Sequence, residues 1–173
     1  QAMEAPDWTR QFGVHVLGPV ELDNIHVTVL EGKRVYTPEV EEAANKNWED
    51  TLQQKPHLFD GPVWCVREWQ AAHGHLNLSM QLSSFKYCLY THHTQAGIRL
   101  EPGDRAGAGG LMALTVTSDG YFILGKRSQR LGAKPGQWHC MPAGQIDSPD
   151  IVGVLKKELK EEIHIDWSDV TSG

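Results

Sequence analysis

The sequence predicts a mixed α/β (α+β) fold, and three observations carry that prediction. Short runs of alternating apolar and polar residues recur along the chain, as half-buried strands require. Helical periodicity replaces the alternation after Thr37-Pro38 and again through Leu155, Leu159 and Ile163. Gly, Pro and Asp turn signals separate the runs. With 173 residues, 40% hydrophobic and 22% charged, the chain can bury a sizeable core as one domain or two small ones. A formal net charge of −6 argues against binding nucleic acid or an anionic membrane, both of which call for a basic surface. A small phosphorylated ligand, reached through a metal ion, stays open. No apolar run approaches the ~18 residues of a membrane span. Cys65, Cys88 and Cys140 are odd in number and widely spaced, and read as reduced thiols of a soluble, cytoplasmic protein.

Taken in order, Gly13 to Leu17 and Ile25 to Leu30 alternate as strands, with Val14, Val16, Ile25, Val27 and Val29 facing a core. Thr37 then reads as an N-cap with Pro38 at the first helical position, opening a helix over about 38–54. Its inner face is expected to carry Val40, Ala44, Trp48 and Leu52. After a breaker-rich connection, Val63 to Trp69 and His75 to Leu82 read as a hairpin, so that a hairpin covers about 63–82. Ser83 to Tyr90 reads as a short helix or turn with packed aromatics. Thr91 to Gly109 is polar and glycine-rich, a linker or a surface strap. Gly110 to Lys126 is expected to form a hairpin about Asp119-Gly120, packed near Leu155 and Leu159. Gln137 to Pro142 makes a further strand before a glycine turn at Gly144.

The helix near the end carries the chemistry. Ile151, Leu155, Leu159 and Ile163 recur every four residues as an apolar stripe. Glu158, Glu161 and Glu162 share another, narrow edge, because positions i, i+3 and i+4 are neighbours. A helix made only for solubility favours Glu four residues before Lys. This one sets Glu158 against Glu162 and Lys156 against Lys160, which costs a few tenths of a kcal/mol per pair, about 0.2–0.5. Clustered carboxylates make sense if a hard divalent cation such as Mg²⁺ neutralises them.

At these residues the sequence resembles a known family. Gly144, Asp150, Lys157, Glu158, Leu159, Glu161, Glu162 and Ile165 resemble the Nudix box, G-x5-E-x7-R-E-U-x-E-E-x-G-U, with U a bulky aliphatic residue. Asp150 stands for the first Glu, Lys157 for Arg and His164 for the late Gly, and six residues separate Asp150 from Lys157 where the pattern has seven. Upstream, Trp48, Leu52, Pro56 and Leu58-Phe59-Asp60-Gly61, with the hairpin and Phe85…Tyr87, are similar to the N-terminal region of Nudix hydrolases that cleave UDP-glucose and UDP-galactose. The resemblance implies a Nudix α/β/α sandwich over residues 106–173, preceded by a small α+β region over 1–105. Only the first half of the sandwich lies within that range, and its remaining strands and second helix are expected to follow the box helix. A half sandwich leaves apolar edges uncovered.

The activity implied is Mg²⁺-dependent hydrolysis (Mn²⁺ being an alternative) of a nucleoside diphosphate derivative. Glu158, Glu161 and Glu162 are the expected catalytic and metal-holding residues. Asp150 is either a peripheral metal ligand or an N-cap. Gly144 either takes a backbone conformation closed to other residues or makes an ordinary turn. Arg127, after a strand, is placed to offer a forked guanidinium to a substrate phosphate or to stand on the surface. His139, Cys140 and Met141 are adjacent on a strand and cannot all face one ion, so Cys140 reads as core. His92-His93 and His73-Gly-His75 lack a partner at zinc spacing and read as loop residues. A second function class is a Nudix-like binding module that keeps the fold without turnover.

Overall fold

In a computed structural model, which describes residues 20–131 and 134–171, a three-stranded sheet forms the first layer. Strands β1 (Ile25–Lys33), β2 (Pro62–Ala72) and β3 (His75–Ser84) lie in the order β1-β3-β2. β1 runs parallel to β3, and β2 antiparallel to it. The β2–β3 hairpin turns at His73 and Gly74, with φ of 52° and 78°. Two positive φ values in a two-residue loop match the right-handed twist of the flanking strands. His75 is thus a strand residue, paired with Ala72 and stacked on His26 at 5.6 Å, rather than part of a loop. The strand expected at Gly13–Leu17 lies outside the described residues. In β1, Ile25 and Val27 are half-buried, but Val29 is 49% exposed. The register shifts between Val29 and Lys33, which breaks the alternation that a regular strand would continue.

Helix α1 (Pro38–Gln54) begins as the sequence predicts. Thr37 lies in extended backbone, and its hydroxyl accepts from the Val40 N–H. Val40 and Ala44 are buried, while Trp48 meets Phe85 edge-on at 6.1 Å. Helix α2 (Phe85–His93) packs on α1. Its N-terminus is satisfied from the preceding connection, since Asp60 accepts from the Lys86 N–H at 2.8 Å and Gly61 O from the Phe85 N–H at 2.9 Å. The core between these helices and the sheet joins Tyr36, Val40, Val63, Cys65, Cys88 and Ala106. Tyr36 stacks on Tyr87 at 4.0 Å and shares a 2.7 Å hydrogen bond with Ser83.

The stretch from Thr94 to Gly109 is a strap. Gly107 O accepts from the Val66 N–H at 2.8 Å, Gly109 N–H donates to Trp64 O at 3.3 Å, and Trp64 N–H donates to Ile146 O at 2.8 Å. Those bonds fill the outer edge of β2 and tie the first 105 residues to the rest. Ala106, wholly buried, sits in the same core as Tyr36.

The second half is built on short ladders. Strand β4 (Gly110–Met112) pairs with β7 (Ala143–Gln145), and β5 (Leu124–Lys126) pairs with β6 (Trp138–Cys140). The expected Gly110–Lys126 hairpin survives only at its tip, where Val116 bridges Phe122 about the Asp119-Gly120 turn. Its base is opened by residues 138–145, one half of which pairs with each arm. The tip is exposed: Tyr121 by 71%, Phe122 by 59%, with Trp138 nearby in sequence to β7 at 68%.

Helix α3 (Ile151–Ile163) packs on β7. Val154 and Leu159 are its buried residues, with Ile151, Leu155 and Ile163 half-buried. The buried face is therefore turned from the expected stripe toward Val154. At the C-terminus His164 adopts the left-handed conformation, φ 57° and ψ 30°. This is where the family pattern carries Gly, and a residue with a Cβ is strained there by about 1–2 kcal/mol. His164 recovers part of it by donating from Nδ1 to Lys160 O at 3.2 Å. Replacing His164 with Gly is expected to raise stability by about 0.5–1 kcal/mol, or Tm by roughly 2–3 °C. His164→Ala, which keeps the strain and loses the bond, is expected to melt at or below the parent. Thermal melts of the three decide it, and a glycine variant melting below the parent would refute the argument. Among the described residues no helix is long and apolar enough to cross a membrane.

Candidate functional site

The three glutamates of α3 lie against β7 in different ways. Glu162 reaches back so that its Oε2 accepts from the Ala143 N–H at 2.9 Å. Glu158, with only 13% of its side chain exposed, lies directly over Gly144. Glu161 is exposed. Gly144 is extended within β7 and is not among the glycines of positive φ. Its lack of a side chain serves another purpose than the one expected: a Cβ there would collide with the Glu158 carboxylate. Asp150 is the N-cap, its Oδ1 accepting from the Gly153 N–H at 2.9 Å. Eight residues of helix put it about 12 Å from Glu158 along the axis, beyond an ion that takes oxygens at about 2.1 Å. Of the two roles the sequence left open for Asp150, the structure displays capping.

Burial holds the Glu158 carboxyl above its usual range, Glu162, Glu161 and Asp147 push the same way, and Lys157 opposes them. Lys157 lies 3.7 Å from Glu158 and is itself held at 2.5 Å by Asp147. A desolvated carboxylate among like charges is a destabilising arrangement that a cation relieves. The donors are hard oxygens, which fits Mg²⁺ or Mn²⁺. Among the described residues no three acid, His or Cys side chains converge on one point in this conformation.

Two neighbouring cavities flank this edge. The larger, about 500 Å³, is lined by Glu162, Gly144, Arg127, Lys134, His92 and His93 among others. The second, about 480 Å³, takes Glu158 together with Leu58, Phe59 and Val63. Phe85, Leu131 and Gln145 border both. Glu162 thus shares its cavity with Arg127 and Lys134, and Glu158 shares its own with Leu58, Phe59 and Val63. Arg127, expected to meet substrate, lines the first; its N–H donates to Gln137 O at 2.9 Å, closing the turn after β5. His92 and His93, expected in a loop, form the last turn of α2.

Sequence reasoning missed the two histidines, Lys134 and the apolar cavity. The zinc-ligand spacing against which the histidines are read is local, whereas these groups come from α2 and the turn after β5. Burial lowers the proton affinity of both histidines. His93 and Arg105 add to the effect at His92, and Lys134 and Arg127 at His93, with Glu162 lining the same cavity. A histidine whose folded pKa is depressed leaves the unfolded chain binding more protons between the two values. Stability from this source is full above the ordinary pKa near 6.5 and is lost as pH falls through the lower folded value. The melting temperature is expected to drop as metal-free protein is taken from pH 7.5 to 5. The paired variant His92→Gln/His93→Gln should drop less, and parallel pH profiles would contradict the assignment.

Compared with known proteins, the chain matches no family model and no curated protein.

Proposed function

We propose that this protein is a Nudix-type pyrophosphohydrolase, acting on a nucleoside diphosphate derivative and most plainly on a nucleotide sugar. The observation that carries the reading is the acidic edge of α3, with Glu158 laid over a side-chain-free Gly144 and Glu162 in a cavity that Arg127 and Lys134 also line. The box resemblance at Gly144, Glu158, Glu161 and Glu162 supports it. Glu158, Glu161 and Glu162 would hold Mg²⁺, which when bound neutralises phosphate charge and favours attack of water at phosphorus. Gly144 leaves room for the Glu158 carboxylate. Arg127 offers a planar guanidinium to phosphate oxygens. Phe59 and Phe85 offer apolar ring surface for a nucleobase or sugar face. A glutamate of the edge, its proton affinity raised by burial, is suited to act as general base. The free thiols Cys65, Cys88 and Cys140 fit a cytoplasmic location.

A second reading keeps binding without turnover. It is favoured by the spacer between Asp150 and Lys157, one residue short of the family pattern, and by the engagement of Glu162 with Ala143. Incubation of the protein with UDP-glucose and Mg²⁺ separates the two. The enzyme releases a nucleoside monophosphate in a metal-dependent reaction, whereas saturable binding with no release assigns the binding module.

A further inference from the structure

We infer that His93, Arg127 and Lys134 form an anion subsite that seats a phosphate of the ligand in the larger cavity, which Glu162 also lines. The subsite deepens the hydrolase reading and rests on it for the identity of the ligand as a diphosphate. Three observations carry it. First, the groups come from two distant parts of the chain, the last turn of α2 and the turn after β5, and line one cavity. Second, that turn is pinned from the N-terminal region: Lys55 Nζ donates to Leu131 O at 2.5 Å, and the His57 ring lies 2.8 Å from Arg130 O. Gly136 N–H donates to Arg127 O at 3.0 Å, closing its base. Third, Lys134 takes a left-handed backbone, φ 45°, and has no carboxylate partner among the described residues. Backbone strain of this kind is retained where surrounding structure over-determines it, often at ligand sites.

The two histidines divide the work. Ala108 N–H donates to His92 Nε2 at 3.4 Å, so His92 spends an acceptor on the strap. His93 lines the cavity, with Lys134 and Arg127 close enough to add to the lowering of its proton affinity. Arg127 and Lys134, both cations lining one concave space, repel each other until an anion enters, and His93 adds a ring nitrogen as hydrogen-bond donor. A diphosphate in this cavity would meet basic groups at Arg127 and Lys134 and a cation held at the acidic edge. This arrangement gives each phosphate a counter-charge of its own.

The test is equilibrium binding of inorganic pyrophosphate to the whole chain in metal-depleted buffer, read by titration calorimetry. Lys134→Ala is expected to weaken binding about tenfold or more, as loss of a charge-assisted hydrogen bond does. Lys156→Ala removes the same charge from a side chain that lies over Trp167, 5.2 Å from the ring centroid, and is expected to change binding by less than about twofold. His93→Glu should abolish binding, and His93→Gln should weaken it several-fold. The glutamine variant stands in if the glutamate variant fails to fold. Absence of pyrophosphate binding by the parent, or equal losses in Lys134→Ala and Lys156→Ala, overturns the subsite. Its fate is separable from that of the enzyme reading. Pyrophosphate binding that depends on Lys134 and His93, in a protein inert toward UDP-glucose, keeps the subsite and removes the hydrolase. Normal turnover with unaltered binding in the variants does the reverse.

Discussion

Glu161→Gln and Glu162→Gln are each expected to remove most Mg²⁺-dependent hydrolysis of UDP-glucose while leaving the fold intact. Substitution of groups that merely orient metal ligands costs about 10–100-fold, so loss of a ligand itself should cost about 100-fold or more. The fold should tolerate both changes. Glu161 is exposed, and removing a like charge from this edge gains a few tenths of a kcal/mol, about 0.2–0.5, in the metal-free protein. Glu162 accepts a hydrogen bond from the Ala143 N–H, which a glutamine side-chain oxygen can also accept. Mg²⁺ at 100 times its dissociation constant stabilises a protein that binds it by about 2.7 kcal/mol. The parent should show that shift in a thermal melt and the variants much less. Glu158→Gln is expected to lose turnover as well, yet to melt higher than the parent without metal, because it removes a carboxylate that burial disfavours. Equal Mg²⁺ responses in parent and variants would remove the metal site from α3, and with it the enzyme reading.

Gly97→Ala is expected to be the most destabilising small substitution in the strap. Gly97 is buried beneath the end of α2, where its N–H donates to Thr94 Oγ1 at 2.9 Å. A methyl group added at Gly97 would overlap the Tyr90 carbonyl oxygen and lie 2.6 Å from Thr91 Cα. Both are backbone atoms of a helix and cannot rotate aside as a side-chain tip would. Overpacking of this kind costs about 1–3 kcal/mol, and the backbone contacts place it at the upper end. At roughly 2–4 °C per kcal/mol for a chain of this size, Tm should fall by about 6–12 °C. The same displacement moves the turn that carries His92 and His93, so pyrophosphate binding should weaken with it. Gly103→Ala, where a Cβ meets open space, is the matched control and should melt within about 2 °C of the parent. Equal melting of the two variants would show that the strap yields.

Several features were legible in the sequence because they depend on neighbours a few residues away. Thr37 caps α1, a hairpin joins the strands on either side of His73-Gly74, and Asp119-Gly120 turns the exposed hairpin. The three glutamates fall on one side of α3 by helical spacing alone. Asp150 had two local roles open to it, and its hydrogen bond from the Gly153 N–H displays the capping one. Misreadings cluster where a partner comes from far along the chain. The hairpin base opens because residues 138–145 compete for both its arms, and alternation within 110–126 carries no trace of that competitor. Val29 turns outward because β1 loses register against β3 after it.

The sequence by itself determined that this is a mixed α+β chain with a late acidic helix, since periodicity and capping are properties of contiguous residues. Only the tertiary structure decided what those acids face. Gly144 matters because Glu158 lies over it, which no turn signal reveals. Glu162, Arg127, Lys134 and His93 surround one cavity because α2 and the turn after β5 are brought together by the strap and by Lys55 and His57. Such a meeting depends on long-range packing and backbone pairing across dozens of residues, and a pattern read along the chain holds no record of it.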